Sequence, residues 1–501
     1  KMKIRNVSRK YSKEKAKQRK QRIENLEEDI LKLENELLNG IDQQKVDDLE
    51  RNKKDLQDCY NYINEGIKIR SRASHYECGE RDTGYFTQLM KSNKKKTLIN
   101  KLYIDEDISF DQKNIMQEIY TFYSKLYAQS EEDIDFVDDF FQDLPKLNSD
   151  SCALCEGKIT NGECIAAMKE MALNKSPGND GLSVEFYILF WPLIGNLVVD
   201  SLNSAFGKKE LSSSQKQAVI SLIHKEGKDP LFIKNYRPIS LLNVDYKILT
   251  KVLSIRIKKV LNDLISVDQV GYLKDRNIGE AIRMIDDIIH HTSVNEIPGY
   301  MMIIDFEKAF DSVSHTFLQK VLLTFGFGPS FCRWVETIYN NAQSCVFNGG
   351  SSTGYFDIKR GVRQGAPLSA YLFILCIEIL ARSIYKDPEI QGFTFNNVHV
   401  KQILYADDMT LFIRDSNSFK KVGELFENFA RNSGLKINKE KTFILLLGPS
   451  QNENIALPFG KVVQMVKILG IYFSLDVEIQ ERTNYKEILS KIKKLLSWWK
   501  Q

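Results

Sequence analysis

Hydrophobic residues repeat at helical spacing along the first seventy residues of the chain. Ile23, Leu26, Ile30, Leu33 and Leu37 follow one another at intervals of three and four residues, which is the heptad pattern of packed helices. A second stripe follows Gly40 and consists of Val46, Leu49, Leu56, Tyr60, Ile63 and Ile67. Because the two stripes flank a short turn, they predict an antiparallel helical hairpin.

From residue 159 the pattern alternates between helical periodicity and strand-like apolar runs. The predicted helices span 160–172, 183–207, 244–265, 278–292, 314–325, 329–341, 367–386 and 417–433. The predicted strands span 217–224, 299–306, 343–348, 354–360, 402–405, 409–414 and 441–447. Helices separate some of these strands and hairpin turns separate others. This mixture predicts an α+β fold with an antiparallel or mixed sheet covered by helices on one face.

Composition and charge limit the classes of protein that remain. The chain has 501 residues, of which 43% are hydrophobic, so it can bury a large core and is not a disordered chain. Its longest apolar run, residues 371–380, is cut by Glu378, so we expect no membrane span. The eight cysteines are irregularly spaced, which favours a reducing, intracellular setting over a disulfide framework.

Charge is unevenly distributed along the chain. The net charge is only +4, yet residues 1–22 contain eleven Lys or Arg residues and one acid, Glu14. A local basic excess of this kind can bind a polyanion. Two interpretations of the predicted hairpin therefore stay open: a solvated coiled-coil spacer, which we favour, and a direct contact with nucleic acid.

Three aspartates occur where the pattern predicts strand ends. Asp407 and Asp408 interrupt the apolar segment QILYADDMTLFIR at 402–414, and Asp305 follows the apolar run 301–304. Adjacent side chains of one strand point to opposite faces, so both acids of the pair face one site only if the chain turns there. Carboxylates in an apolar setting need a compensating positive charge. An all-oxygen set without His or Cys predicts Mg²⁺ or Mn²⁺, with two ions in the two-metal scheme of polymerases.

The sequence motifs resemble those of a known family. YADD at 405–408 and DFEKAF at 305–310 resemble the two metal-binding motifs of reverse transcriptases. Further motifs resemble the LINE class of non-LTR retrotransposons, in that family's order: E-R-D-T-G-Y-F at 80–86, N-K-S-P-G-N-D-G-L at 174–182, N-Y-R-P-I-S-L-L at 235–242, R-Q-G-A-P-L-S at 363–369, G-L-K-I-N-K-E-K-T at 434–442 and L-G-I at 469–471.

The resemblance implies roles for individual residues. Asp305, Asp407 and Asp408 would be catalytic and would bind metal, together with the backbone carbonyl of Phe306. The residues implied at the nucleotide are Arg237, Lys225, Phe310, Gln364, Gly365 and Lys441, with Phe310 as the ring that excludes a 2′-hydroxyl and Lys441 as a proton donor to pyrophosphate. The residues implied at the template or primer are Lys175, Gly178, Gln269, Tyr272, Arg363, Leu469 and Gly470.

The resemblance also implies an architecture and an activity. We expect a right-hand polymerase divided into a basic leader and helical hairpin (1–72), an N-terminal extension with an acidic linker (73–158), fingers and palm (159–475) and the start of a thumb (476–501). The activity would be DNA synthesis from an RNA template, a DNA primer and dNTPs, in an intracellular protein that acts in the nucleus after cytoplasmic assembly with RNA.

Two alternatives to this function stay open at the level of sequence. One is a reverse transcriptase of the group II intron maturase lineage, and the other is an inactive remnant that binds RNA. Because LINE polyproteins usually carry further domains before and after such a core, we also expect the sequence to be part of a longer protein.

Overall fold

The computed structural model describes residues 1–38, 40, 42–71, 98–128, 138–395, 398–449 and 459–499. The motif at 80–86 lies outside these described residues. So do residues 131–137, which are most of the acidic linker at 131–143.

The described chain is an α+β structure, as the sequence predicts. Its helices are α1 Met2–Leu37, α2 Gln43–Ser71, α3 Gln112–Tyr127, α4 Ser149–Ala153, α5 Asn161–Lys169, α6 Val184–Lys208, α7 Ser213–Lys216, α8 Val244–Lys258, α9 Leu261–Leu264, α10 Ile278–Val294, α11 Ala309–Ser312, α12 His315–Thr324, α13 Pro329–Tyr339, α14 Ser369–Lys386, α15 Ser416–Ser433 and α16 Val477–Trp499.

Its strands form two larger sheets and several hairpins. The strands are β1 Leu102–Ile104, β2 Asp107–Ser109, β3 Gln217–His224, β4 Tyr236–Leu242, β5 Gly299–Ile304, β6 Gln343–Asn348, β7 Ser351–Ser352, β8 Phe356–Asp357, β9 Phe393–Phe395, β10 Val398–Val400, β11 Gln402–Tyr405, β12 Asp408–Ile413, β13 Phe443–Leu447, β14 Lys461–Val462, β15 Met465–Ile468 and β16 Ile471–Ser474. One sheet has the order β11-β12-β5-β13-β14, and the other has the order β4-β3-β6-β7 with β8 paired to β6.

Helices α1 and α2 lie side by side and contact each other through charged pairs. Arg22 donates to Asp55 at 2.7 Å, and Lys45 contacts Glu36 at 2.8 Å. Glu36 near the end of α1 thus pairs with Lys45 near the start of α2, and Arg22, further back in α1, pairs with Asp55, further along α2. At the base of α1, the Lys1 ammonium lies 3.0 Å from Asp180 and 2.6 Å from Asp245. These contacts connect the start of α1 to the buried surface around α8.

Several predicted elements differ in their bounds, for identifiable reasons. The helix predicted over 244–265 is divided, because Lys259 and Val260 close α8 with short-range bonds to the carbonyls of Arg256 and Ile257. The strand predicted over 354–360 is reduced to β8, because the chain then leaves β6 and Lys359 pairs with the carbonyl of Tyr127. Strand β4 was not predicted because it contains Pro238. It tolerates this proline because it lies at the edge of its sheet.

Helix α6 is long and apolar enough to cross a membrane, by length and composition alone. Its apolar run is interrupted by Pro192, Gly195 and Asn196, so the helix does not stand out in the sequence as a membrane span. Trp191 and Leu202 of this helix are buried against the core. A core helix passes the same test, so length and composition do not place α6 in a membrane.

Most of the apolar interior lies beneath the two sheets. A large cluster surrounds α14, whose residues from Leu372 to Ala381 are almost all inaccessible to solvent. A second cluster packs α10 against β5, β12 and β13, and a third packs α3 against β3 and β6. These clusters pack helices onto the two sheets, beside the space that the predicted nucleotide residues line.

Candidate active site

The three aspartates meet at one edge of the five-stranded sheet. Strands β11 and β12 form a hairpin in which Tyr405 pairs with Asp408, so Ala406 and Asp407 make the turn. Strand β12 also pairs with β5, with Met409 opposite Ile304. The same register places Asp408 beside Asp305, the residue that follows β5. The turn predicted from the sequence is present, and pairing between the strands brings the third acid to it.

The turn at Ala406 is held by a residue distant in sequence. Ala406 has φ of 56°, a left-handed conformation that is unfavourable for a residue with a Cβ atom. The Oε1 atom of Gln269 accepts hydrogen bonds from the backbone N–H groups of Ala406 and Gly271, both at 2.9 Å. The Nε2 atom of Gln269 donates to the Ala406 carbonyl at 3.4 Å. The Gln269 amide thus clamps the residue that precedes the Asp407–Asp408 pair.

The acids influence one another's ionisation. Burial, and after it the charges of Asp407 and Asp305, raises the pKa of Asp408 to about 6, although its side chain still reaches solvent. Burial also raises the pKa of Asp407, while the charge of Arg237 works in the opposite direction. The Nζ atom of Lys441 lies 3.5 Å from Oδ2 of Asp305. The cluster is therefore a concentration of negative charge that a cation would relieve.

The donor set suits a hard divalent cation. It consists of carboxylate oxygens, which Mg²⁺ prefers. The backbone of Asp305 and Glu307 pairs with Asn438 and Lys436, and the Phe306 carbonyl lies outside these two bonds. Within the described residues, no three His, Cys, Asp or Glu side chains are gathered at the spacing of a complete metal site. The three acids share one edge of the sheet, and the chemistry of their oxygens fits such an ion.

A large open cleft adjoins the acids. Its volume is about 2090 Å³, and its lining includes Asp305, Asp407, Lys225, Arg237, Phe310, Gln364, Gly365, Tyr272 and Lys441. Arg237 lies on β4 with its side chain exposed to the cleft. Burial, followed by the charges of Lys441 and Arg237, lowers the pKa of Lys225. Lys225 and Arg237 thus line the same cleft as the acids, and Lys441 lies directly beside Asp305.

Phe310 forms part of the cleft wall. Its ring stacks on Phe373 with centroids 4.6 Å apart and an angle of 19° between the planes. Its carbonyl accepts a hydrogen bond from Val362 at 2.6 Å. Phe373 lies on α14 and is completely buried, so it gives the Phe310 ring a fixed support.

The segment containing Gln364 is docked on β4. The Gln364 carbonyl accepts a hydrogen bond from the Ser240 N–H at 2.9 Å. Gly365 has φ of 115°, and a Cβ atom at this position would lie 2.6 Å from the Ser240 carbonyl oxygen. Only glycine fits such a close backbone approach. The glycine therefore allows Gln364 and the strand of Arg237 to occupy the same wall of the cleft.

Two residues predicted to touch the template or primer are buried instead. Arg363 is 4% exposed, donates to the carbonyls of Lys216 and Gln343, and lies over the Tyr246 ring. Gln269 is 0% exposed because it clamps the turn. Both predictions assumed that a motif residue contacts the ligand directly. In the structure both side chains form hydrogen bonds with backbone groups. Their burial therefore argues against a direct contact with nucleic acid.

The other predicted template and primer residues lie nearer the surface. Lys175 is exposed, and Gly178 packs so closely on Asn243 that a Cβ atom would lie 2.1 Å from its side chain. Tyr272 is 52% exposed and lines the cleft. Leu469 and Gly470 form the turn between β15 and β16. These positions remain predictions as nucleic-acid contacts.

Sequence reasoning missed several residues of the cleft. Lys308 and Asp311 lie in its lining, as do Arg360, Lys436 and Lys439. The Lys308 ammonium lies 4.3 Å from the centre of the Phe122 ring, and burial lowers its pKa to about 8. Asp311 is 2% exposed. The only available signal was that Lys308 lies within the DFEKAF motif and that Asp311 follows it directly.

Comparison with known proteins identifies relatives of this chain. A family model described as "Reverse transcriptase (RNA-dependent DNA polymerase)" matches residues 223–473. The "Transposon TX1 uncharacterized 149 kDa protein" of Xenopus laevis is 32% identical over 496 residues, which is 98% of this chain and 38% of that protein.

Two further relatives come from Drosophila melanogaster. The "Retrovirus-related Pol polyprotein from type-2 retrotransposable element R2DM" is 29% identical over 42% of this chain and 19% of its own length. The "RNA-directed DNA polymerase from mobile element jockey" is 23% identical over 68% of this chain and 38% of its own length. The chain therefore spans well under half the length of these curated relatives.

Proposed function

The chain belongs to the reverse transcriptase family of RNA-directed DNA polymerases, in its non-LTR retrotransposon (LINE) class, and we propose that Asp305, Asp407 and Asp408 form its catalytic centre. The observation that carries this proposal is the strand register. It brings an acid from β5 and the acid pair of the β11–β12 turn to one edge of one sheet. The cleft that begins at this edge is lined by cations and by the nucleotide residues predicted from the motifs.

A right-hand arrangement follows from this assignment. The sheet that carries the acids would be the palm, and the sheet of β3, β4 and β6, with the helices around α6, would be the fingers. Helix α16 would begin the thumb. The cleft between the two sheets would hold the primer end and the incoming nucleotide. One observation supports this arrangement. Arg237 on one sheet is close enough to Asp407 on the other for its charge to oppose the rise in the Asp407 pKa that burial causes.

The residues of the cleft divide the chemistry among them. The three aspartates and the Phe306 carbonyl would hold Mg²⁺, which when bound supplies activation of the primer hydroxyl and neutralisation of phosphate charge. Arg237 can bridge two phosphate oxygens with its planar guanidinium, and Lys225 adds a second positive charge. Lys441 stands beside Asp305, where it can give a proton to the departing pyrophosphate. Preorganised charge of this kind is the main source of catalysis in phosphoryl transfer.

The substrates would be an RNA template, a DNA primer and dNTPs. In an intact parent protein, the primer would be the 3′-hydroxyl of a nicked DNA target, and the enzyme would act in the nucleus after assembling with its RNA in the cytoplasm. The relatives are retrotransposon proteins, so a group II intron maturase is not favoured. The presence of all three acids disfavours an inactive remnant that only binds RNA.

Primer extension tests the proposed centre. On poly(rA)/oligo(dT) with Mg²⁺, we expect the chain to incorporate dTTP and Asp407→Asn to lose at least about a hundredfold in rate. Asp415→Asn is the matched control, because Asp415 caps α15 through its side chain and asparagine caps equally well. If Asp407→Asn extended primers at the rate of the control, the assignment of the centre would be wrong.

A further inference from the structure

Helix α3 lies outside the region matched by the family model, yet its last residue contacts Asp311, which lines the cleft. Tyr127 is 6% exposed, and its hydroxyl donates to Oδ1 of Asp311 at 2.7 Å. The other carboxylate oxygen of Asp311, Oδ2, accepts from Nε2 of Gln364 at 3.0 Å. One buried carboxylate therefore connects the N-terminal extension of the chain to the residue assigned to the nucleotide pocket.

Two hydrogen bonds to backbone carbonyls of α3 connect the same pieces of the chain. The Lys359 N–H donates to the Tyr127 carbonyl at 2.9 Å, and Nε of Arg360 donates to the Leu126 carbonyl at 2.7 Å. Both donors immediately precede the segment that runs from Gly361 to Gln364. The carbonyl groups at the end of α3 thus hold the residues just before Gly361. The Tyr127 hydroxyl holds Gln364, at the other end of the segment, through Asp311.

The state of Asp311 determines which way the Gln364 amide faces. An ionised carboxylate only accepts hydrogen bonds, so Gln364 turns its NH₂ group towards Asp311 and its Oε1 atom away from it. Burial raises the pKa of Asp311 to about 6, whereas the Tyr127 hydrogen bond and the charges of Lys308, Lys225 and Arg360 lower it. Tyr127 therefore favours the ionised form, the form that accepts hydrogen bonds at both oxygens.

We propose that Tyr127 is a positioning residue for the incoming nucleotide, acting through Asp311 to fix the orientation of the Gln364 side chain. This inference rests on the proposed placement of Gln364 at the nucleotide. It assigns to a helix outside the matched polymerase region a part in nucleotide binding. The hydroxyl of Tyr127 carries this role, while its ring packs on Phe356 and Tyr123.

The chain offers a matched control for the hydroxyl. Tyr123 lies one turn earlier on α3 and is 0% exposed. Its hydroxyl has no hydrogen-bond partner among the residues that the structure describes. Tyr127→Phe and Tyr123→Phe each remove one buried hydroxyl from the same helix and preserve the aromatic packing. Only the first change removes a donor to Asp311.

Steady-state incorporation of dTTP on poly(rA)/oligo(dT) tests the proposal, at a temperature well below the melting midpoint of each variant. We expect Tyr127→Phe to raise the KM for dTTP about tenfold, the effect of losing one hydrogen bond to a charged group, with kcat nearly unchanged. Tyr123→Phe should match the wild-type chain. The acid limb of kcat/KM should move to higher pH by about one unit in Tyr127→Phe, because Asp311 loses a donor that favours its ionised form.

A double variant separates positioning from a general structural effect. If Tyr127 acts through Gln364, adding Tyr127→Phe to Gln364→Ala should raise KM no further, because residues that act as a unit are not additive. A wild-type KM and pH profile in Tyr127→Phe would overturn the proposal, and so would an undiminished effect in the Gln364→Ala background. Either result would leave the catalytic centre standing, since that assignment depends on Asp407→Asn.

Discussion

At the scale of single residues, we expect Phe310 to be the side chain whose size decides which sugar the cleft accepts. Its ring is held against Phe373, so it cannot turn aside for a 2′-hydroxyl. We expect Phe310→Val to increase incorporation of ribonucleotides relative to deoxynucleotides by at least about tenfold, because a fixed ring is replaced by a smaller side chain. Primer extension with dTTP and UTP in competition measures this ratio.

The outcome that would contradict this role is unchanged sugar discrimination in a variant that is still folded and active. A lower melting temperature alone would not support it, because replacing any partly buried phenylalanine by valine costs packing energy.

Glu378 is a second residue with a testable role, because its ionisation should make the free energy of unfolding depend on pH. It is 1% exposed, contacts Nε of Arg382 at 2.7 Å and accepts a hydrogen bond from the Ser266 backbone at 2.8 Å. Burial raises the pKa of this carboxyl from 4.5 to about 7. Between these two pH values the unfolded chain binds fewer protons than the folded chain, so the free energy of unfolding falls as pH rises.

Glu378→Gln removes this titration. Relative to the wild-type chain, we expect the variant to gain up to about 3 kcal/mol of stability as pH rises from about 4.5 to about 7. Denaturant unfolding at several pH values measures the difference. If the difference in the free energy of unfolding stayed constant across this interval, the pKa of Glu378 would be the same in the folded and the unfolded chain.

At the scale of elements, the β11–β12 turn depends on a clamp from outside its own hairpin. Because Ala406 has a left-handed conformation, we expect Gln269→Leu to release the turn and lower kcat at least about tenfold, the cost of buried hydrogen bonds left unmade, with little change in the KM for dTTP. Ala406→Gly should restore part of the rate in the double variant, since glycine adopts this conformation without strain.

Gln402→Leu is the control for the clamp. Gln402 is also buried and donates to Asp268 and to the Ala381 carbonyl, so its loss removes a buried amide without touching the turn. If Gln269→Leu and Gln402→Leu lowered kcat equally, or if Ala406→Gly gave no recovery, the clamp would have no specific role in aligning the aspartates.

At this scale the local sequence pattern predicts some features, such as the β11–β12 hairpin, and does not predict others, such as the clamp on its turn. The hairpin was predictable, because apolar strand formers flank Asp407 and Asp408 on both sides. The β11–β12 hairpin is present. The L-G-I motif at 469–471, singled out by resemblance, lies at the turn between β15 and β16. The clamp by Gln269 was not predictable, because it depends on the bridge between Gln269 and Leu404, residues far apart in the chain.

At the scale of the whole molecule, charge is organised around the cleft even though the net charge is small. Lys436 and Lys439 line it, together with Lys225, Arg237 and Lys441. We expect binding of a primer–template duplex to weaken steeply with salt. Lys436→Ala should lower the slope of log affinity against log salt by about 0.9 if it removes one phosphate contact.

Lys420→Ala is the control for this measurement, because Lys420 is exposed on α15 outside the cleft lining. Fluorescence anisotropy over a series of salt concentrations gives both slopes. Equal slopes for the two variants would place the duplex away from Lys436 and would require a different path for nucleic acid across the molecule.

The sequence by itself determined the family, the α+β class, most of the helices and the identity of the three acids. It could do so because hydrophobic periodicity, the carboxylates suited to a metal ion and the motifs that resemble the family all lie in short, contiguous stretches. Tertiary structure alone decided that Arg363 and Gln269 are buried supports and that Asp311 connects Tyr127 to Gln364. A polar side chain in a motif has the same letter whether it binds substrate or satisfies a buried backbone group. Only the packing of distant segments determines which of these partners it meets.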